Sequence, residues 1–176
     1  MRDLGTLLRA LRDELGLSLL LVEHHMQLVM DIADYVVVLD SGRNLLSGRP
    51  DEIRDDPPPR RGVPGEPAMT EPLLRMSGVR AYYDGVEALH GIDITVDTGE
   101  VVVVLGANGA GKTTTLRSIC QLTTTTGEIR FDGDLISGAS TSSIVRRGIA
   151  MVPQGRGTLG DLSVEDNLLA RRRNPA

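Results

Sequence analysis

Eight consecutive residues carry most of the chemistry legible in this chain: Gly106-Ala107-Asn108-Gly109-Ala110-Gly111-Lys112-Thr113. They fill the pattern G-x-x-x-x-G-K-[ST] at every fixed position. Glycines let the backbone turn so that successive N–H groups face one concavity, which suits the oxygens of a phosphate chain. A helix beginning near Lys112 adds the positive end of its dipole. The Lys112 side chain is long enough to reach β- and γ-phosphates, and the Thr113 hydroxyl is a ligand for Mg²⁺. The spacing predicts binding of a nucleoside triphosphate with Mg²⁺, with Gly106, Asn108, Gly109, Ala110, Gly111, Lys112, Thr113 and Thr114 around the phosphates. Adjacent His24 and His25 close an apolar run, and with no third ligand at hand in the sequence a metal site there is not expected.

These groups need elements to hold them. Residues 101–105, all Val and Leu, read as a strand buried on both faces, and residues 113–122 as the helix after the loop. Residues 73–81 and 91–96 alternate like antiparallel strands. Residues 123–127 read as a turn, 128–132 as a strand, 144–148 as the end of a short helix, and 149–152 as a strand before Pro153. Residues 165–170 read as the start of a helix. Nearer the N-terminus, Leu4, Leu7, Leu8, Leu11 and Leu15 recur at helical spacing, and Gly16 fits a helix stop. Residues 17–22 read as a buried strand, 26–33 as a helix, 35–39 as a second buried strand ended by Asp40-Ser41-Gly42, and 44–46 as a short returning strand. Between the halves, residues 55–67 hold five of the nine prolines, which can join neither helix nor ladder. That stretch reads as a linker.

The composition excludes several classes. The 176 residues carry a net charge of -5, against a generally basic nucleic-acid binder. One cysteine, Cys120, excludes an internal disulfide. No apolar run approaches the ~20 residues of a membrane helix, and no secretory signal is evident. Aromatics are 2%, so the core is expected from Leu, Val and Ile. A soluble, cytoplasmic α/β protein is the expectation.

Residues 71–169 resemble the N-terminal half of an ABC-transporter ATPase subunit of the branched-chain amino acid importer type. The resemblance rests on Tyr83 before Val86-Glu87-Ala88-Leu89-His90-Gly91-Ile92, the phosphate loop, Thr125-Thr126-Gly127-Glu128-Ile129, Ile149-Ala150-Met151-Val152-Pro153-Gln154-Gly155-Arg156 and residues 162–168. It implies that Tyr83 stacks on adenine. It also implies that Gln154 touches Mg²⁺ and the attacking water. Residues 4–56 resemble the C-terminal end of a different copy of the same subunit type, through Leu19-Leu20-Leu21-Val22-Glu23-His24-His25-Met26, residues 26–39, Gly42, Gly48-Arg49-Pro50 and Glu52-Ile53. By that resemblance His24 contacts the γ-phosphate, while His25 departs from a position that is more often acidic. Tyr35-Val36-Val37-Val38-Leu39-Asp40 imitates a Walker B strand, but Ser41 follows where the family has the water-polarising Glu, so Asp40 is read as a turn residue. No Leu-Ser-Gly-Gly-Gln-type signature occurs in the sequence.

The resemblance implies a P-loop NTPase (ABC ATPase-like) parallel sheet, incomplete and permuted, with a small antiparallel β subdomain. The expected organisation is 1–56 as the C-terminal fragment of one ATPase, 57–68 as a linker, and 69–176 as the N-terminal half of a second. Residues 36–39, 101–105 and 19–22 are expected side by side as parallel strands in that order. Residues 149–152 are expected beyond a gap or closed up against 19–22, and His24 is expected near the phosphate loop. The implied function is a partial ATP-binding subunit of an importer that uses ATP and Mg²⁺. Its implied partners are a second ATPase subunit and membrane-spanning permease subunits, on the inner face of the cell membrane. With the signature and catalytic Glu missing, two copies would not complete a hydrolytic site, so the alternative is an inactive nucleotide-binding fragment. Residues 61–65 can be encoded so that another frame reads Glu-Ala-Tyr-Leu-Gly, a tail found in such relatives, which raises a frameshift between adjacent genes.

Overall fold

The structure is a computed structural model that describes residues 2–55, 71–152, 155 and 163–166. The leucine-spaced segment forms α1 (Arg2–Leu15), closed by Gly16 at φ 64°. Gly5 lets α1 approach its neighbour, since a Cβ there would stand 3.2 Å from Leu28 Cδ1. Then follow β1 (Leu19–Val22), α2 (Met26–Ile32), β2 (Tyr35–Asp40), β3 (Arg43–Gly48) and α3 (Pro50–Asp55). After the proline-rich stretch come β4 (Leu74–Tyr83), β5 (Val86–Val96), β6 (Val101–Leu105), α4 (Lys112–Ile119), β7 (Thr124–Phe131), β8 (Asp134–Leu135) and α5 (Thr141–Arg146).

The strands form two sheets, in the orders β1-β6-β2-β3 and β5-β4-β7-β8. In the first, β6 lies between β1 and β2 and runs parallel to both, with Leu21 opposite Val103 and Val36 opposite Val103 on the other side. The anticipated strand order is the observed one. The second sheet is antiparallel throughout. The fold is therefore α/β, with a parallel core and a separate antiparallel sheet, as an ABC-type phosphate-loop protein requires.

All five residues of β6 are buried, because both its faces meet a core. Val102 and Val104 join Leu89, Ile92 and Ile129 of the antiparallel sheet. Val101, Val103 and Leu105 join Leu28, Val29 and Ile32 of α2. Burying each such side chain contributes about 1.5–3 kcal/mol. Backbone and side chains knit β6 to the segment before the linker. Leu19 N–H donates to Glu100 C=O at 2.9 Å, Asp34 N–H to Val101 C=O at 2.9 Å, and Val101 N–H to Asp34 Oδ2 at 2.8 Å. Gly99 N–H donates to Ser18 Oγ at 2.8 Å. Asn44 ties β3 to β5, donating to Asp93 C=O at 3.0 Å and accepting from Asp93 N–H at 2.9 Å.

Two sequence expectations change, and one element is unanticipated. Residues 124–127 belong to a strand, not a turn: β-branched Thr125 and Thr126 pair with Ala81 and Arg80 of β4. Gly127, at φ 89°, allows this by lacking a Cβ that would stand 2.5 Å from Gly78 O. Residues 149–152 make no strand. They line the same cavity of about 1360 Å³ as β1, and although β1 is the outer strand of its sheet they do not pair with its free edge. Helix α3 is the element with no counterpart among the sequence expectations. Pro50 opens it and Glu52 Oε2 accepts from Arg49 N–H at 2.8 Å, as at a capping box. Residues 164–166 are helical; the rest of the anticipated final helix, the linker at 57–68, Pro153 and Gln154 lie outside the described residues.

Candidate nucleotide-binding site

Buried β6 ends at Leu105 and delivers the chain into the Gly106–Thr113 turn, which α4 then closes. Gly106 sits at φ 149° with its Cα against the end of β2, where a Cβ would stand 2.4 Å from Leu39 O. Gly111 is left-handed at φ 105° and opens α4 without any side-chain cap. The backbone ladder of α4 opens with Thr115 N–H donating to Gly111 C=O at 2.9 Å. The N–H groups of Lys112, Thr113 and Thr114 thus precede the helical ladder, as the orphan donors of a helix start do. Lys112 Nζ folds over the loop, donating to Gly106 C=O at 2.6 Å and Ala107 C=O at 2.8 Å. Asn108, Gly109 and Thr113 are exposed, Gly111, Lys112 and Thr114 half-buried, and Ala110 buried. Uncapped helix donors, an ammonium poised over the loop and an exposed hydroxyl at Thr113 form a donor set that fits phosphate oxygens and a hydrated Mg²⁺.

The cavity beside the loop is also lined by Glu23 and His24, which follow β1. Parallel pairing of β1 with β6 thus brings His24 and Lys112, far apart in sequence, to one cavity. The His24 side chain is 77% exposed. Glu23 is the third ligand-type residue that the sequence reading did not find next to the two histidines, their ligand atoms lying within 4.8 Å of one another. Its Oε2 already accepts from His24 N–H at 2.8 Å and His25 N–H at 3.1 Å, and lies 3.0 Å from His25 Nδ1. The cluster is closed upon itself. Burial pushes the Glu23 carboxyl up, but the donated N–H groups of His24 and His25 outweigh it and hold the group below its ordinary value.

Tyr83 ends β4 and is 39% exposed, with the Arg117 guanidinium 5.8 Å above its ring. It stands apart from the residues lining the cavity. Asp40 ends β2, is exposed, and leads into a turn at Ser41 (φ 46°) and Gly42 (φ 73°), as its reading as a turn residue requires. The sequence reading missed two contributors to the loop, Leu39 and Gly42. Gly42 N–H donates to Ala110 C=O at 3.1 Å, and Gly42 C=O accepts from His90 N–H at 2.8 Å. Both residues fall within the segments that carry the resemblance, and Gly42 also within the turn Asp40-Ser41-Gly42, but neither signal pointed to the loop.

Sheet order, loop and helix start together define a phosphate-loop α/β protein. The sequence profile of the family described as ABC transporter matches residues 89–176, half of the chain, and this chain belongs to that family. It is similar to the high-affinity branched-chain amino acid transport ATP-binding protein BraG of Pseudomonas aeruginosa, 41% identical over 97 residues, covering 54% of this chain and 42% of that protein. It is similar to the xylose import ATP-binding protein XylG of Burkholderia cenocepacia, 41% identical over 103 residues, covering 57% of this chain and 20% of that one. The glucose import ATP-binding protein TsgD13 of Haloferax volcanii is 34% identical over 181 residues, covering 91% of this chain and 32% of that one. The chain spans less than half the length of each of these relatives. No helix among the described residues is long and apolar enough to cross a membrane.

Proposed function

We propose that the chain binds Mg-ATP on the Gly106–Thr114 loop as a partial ATP-binding subunit of an ABC importer. The observation that carries this is the loop itself, held between buried β6 and uncapped α4 with Lys112 folded over it. Lys112 and the α4 N–H groups hold the phosphates, Thr113 the Mg²⁺, and Tyr83 the adenine. His24 and Gln154 act at the γ-phosphate. A second ATPase subunit and membrane-spanning permease subunits are the partners, on the inner face of the membrane. Branched-chain amino acids are the proposed cargo, supported by the importer-type segments in both halves of the sequence and by the similarity to BraG.

The division into 1–56, 57–68 and 69–176, the end of one ATPase followed by the start of another, is part of the same proposal. The resemblance of the two segments to opposite ends of the subunit supports it. The reading frame of the coding DNA across residues 60–65 tests the frameshift idea.

A non-hydrolysing fragment is the second reading, and one observation favours it. Among the described residues lining the cavity, Glu23 is the only carboxylate, and its Oε2 is committed to three donors. No carboxylate with both oxygens free stands there to take a proton from water. The expected result is Mg-ATP binding by calorimetry, lost in Lys112→Ala, with hydrolysis at background in both. Steady turnover by the pure chain that Lys112→Ala abolishes refutes the non-hydrolysing reading. Absence of Mg-ATP binding refutes the proposal as a whole.

A further inference from the structure

The phosphate loop is gripped at both ends by one short stretch from the other side of the linker. At its start, Gly106 lies so close to Leu39 O that an added Cβ would stand 2.4 Å away. At its end, Gly42 N–H donates to Ala110 C=O at 3.1 Å. Gly42 Cα also stands 3.5 Å from where a Cβ on Gly111, the residue just before α4, would be. Gly42 is itself fixed from behind. His90 N–H of β5 donates to its C=O at 2.8 Å, and a Cβ on Gly42 would stand 2.5 Å from Ala88 O and 2.9 Å from His90 Cδ2. Its φ of 73° is a conformation glycine adopts without strain. Gly42 is buried. A residue with a side chain fits neither the space nor the backbone angle, and nothing in the β2–β3 turn alone demands that Gly42 be buried between two other elements.

We propose that Gly42 is a positioning residue for the phosphate loop. It sets the Ala110–Gly111 peptides, and through them the direction of the first α4 N–H groups, so the segment before the linker tunes nucleotide affinity without touching nucleotide. This rests on the reading of the loop as an ATP site. The coupling runs both ways: phosphates that order the loop also tighten the Gly42–Ala110 and His90–Gly42 hydrogen bonds.

The test uses the full chain. Calorimetry compares Mg-ATP binding to the parent, Gly42→Ala and Gly48→Ala. Gly48 ends the same hairpin away from the loop, and a Cβ there meets first Glu52 Oε2, the cap of α3, at 2.7 Å, so its cost falls on α3 and not on the loop. The expected result is affinity at least tenfold weaker in Gly42→Ala and within twofold of the parent in Gly48→Ala. Hydrogen exchange on the unmutated chain is the second measurement, which stands even if Gly42→Ala fails to fold. Mg-ATP is expected to slow exchange severalfold at the amides of Gly42 and His90 but not at Ser47, a nucleotide-dependent response that a merely structural glycine does not give. A parent that binds Mg-ATP without slowing those two amides overturns the inference alone, as does a folded Gly42→Ala that binds like the parent. A parent that binds no Mg-ATP overturns the ATP reading and this inference together.

Discussion

Glu100 shows how a single carboxylate can work against the fold it belongs to. It precedes β6, its C=O accepts from Leu19 N–H, and its Oε2 accepts from Asp97 N–H at 2.7 Å. Burial pushes its carboxyl above the ordinary value, the Asp97 N–H pulls it down, and the nearby Asp97 and Asp34 charges push it up again. An acid whose folded pKa is raised binds its proton more tightly in the folded state. Its contribution is most favourable below the ordinary carboxylate pKa and is lost as pH rises through the raised folded value. Glu100→Gln mimics the protonated form. Thermal melts are expected to show the variant above the parent near neutral pH, with the difference shrinking as pH falls below the raised value. A difference that grows on acidification contradicts this account. Among site residues, those of the phosphate loop were legible because their types and spacing are dictated locally, by one tight turn. Gly42 was legible as a turn glycine but not as a neighbour of the loop, because its contacts with Ala88, Ala110 and Gly111 are made only by the folded chain.

Elements whose neighbours match their pattern were read correctly from sequence, and the failures trace to neighbours the pattern does not encode. The five apolar residues of β6 can only be satisfied by two apolar faces, so its central place was visible. The Thr run of β7 carries no hydrophobic alternation, and it is a strand because β4 supplies a second free edge beside β5. The apolar run at 149–152 is the reverse case: its composition suits a strand, but among the described residues no ladder partner reaches it. Helix α3 is a single short element started by Pro50 and Glu52, below the length at which periodicity is readable. Asn44 illustrates how one side chain links elements. Its amide completes both the donor and the acceptor of Asp93, in a half-buried setting. Asn44→Ala is expected to lower stability by about 1–3 kcal/mol, because two backbone groups lose their partners. Urea unfolding checks this, and a change below ~0.5 kcal/mol would show the link to be idle.

At the scale of the whole molecule, the first sheet alternates between the two halves of the chain: β1 before the linker, β6 after it, then β2 and β3 from before it. Both core clusters also draw residues from both halves. A protease site built into residues 57–68 and then cut is expected to leave two pieces that co-elute on gel filtration and melt as one unit. Separation of the pieces at micromolar concentration would mean that the shared sheet is too weak to hold them.

The same alternation acts on the clock of protein synthesis. Ribosomes release the chain from its N-terminus at about 5–20 residues per second. Asp40 ends β2 about 60 residues before Val101 opens β6, so β1 and β2 emerge several seconds ahead of the strand that belongs between them. During that interval Leu19–Val22 and Tyr35–Asp40 are two apolar strands whose correct partner has not yet been made, able to pair with each other or with a neighbouring nascent chain. A protein whose middle strand is translated last needs its early strands kept apart while it waits, so its yield in the cell depends on translation speed and chaperone supply as well as on the stability of the finished fold.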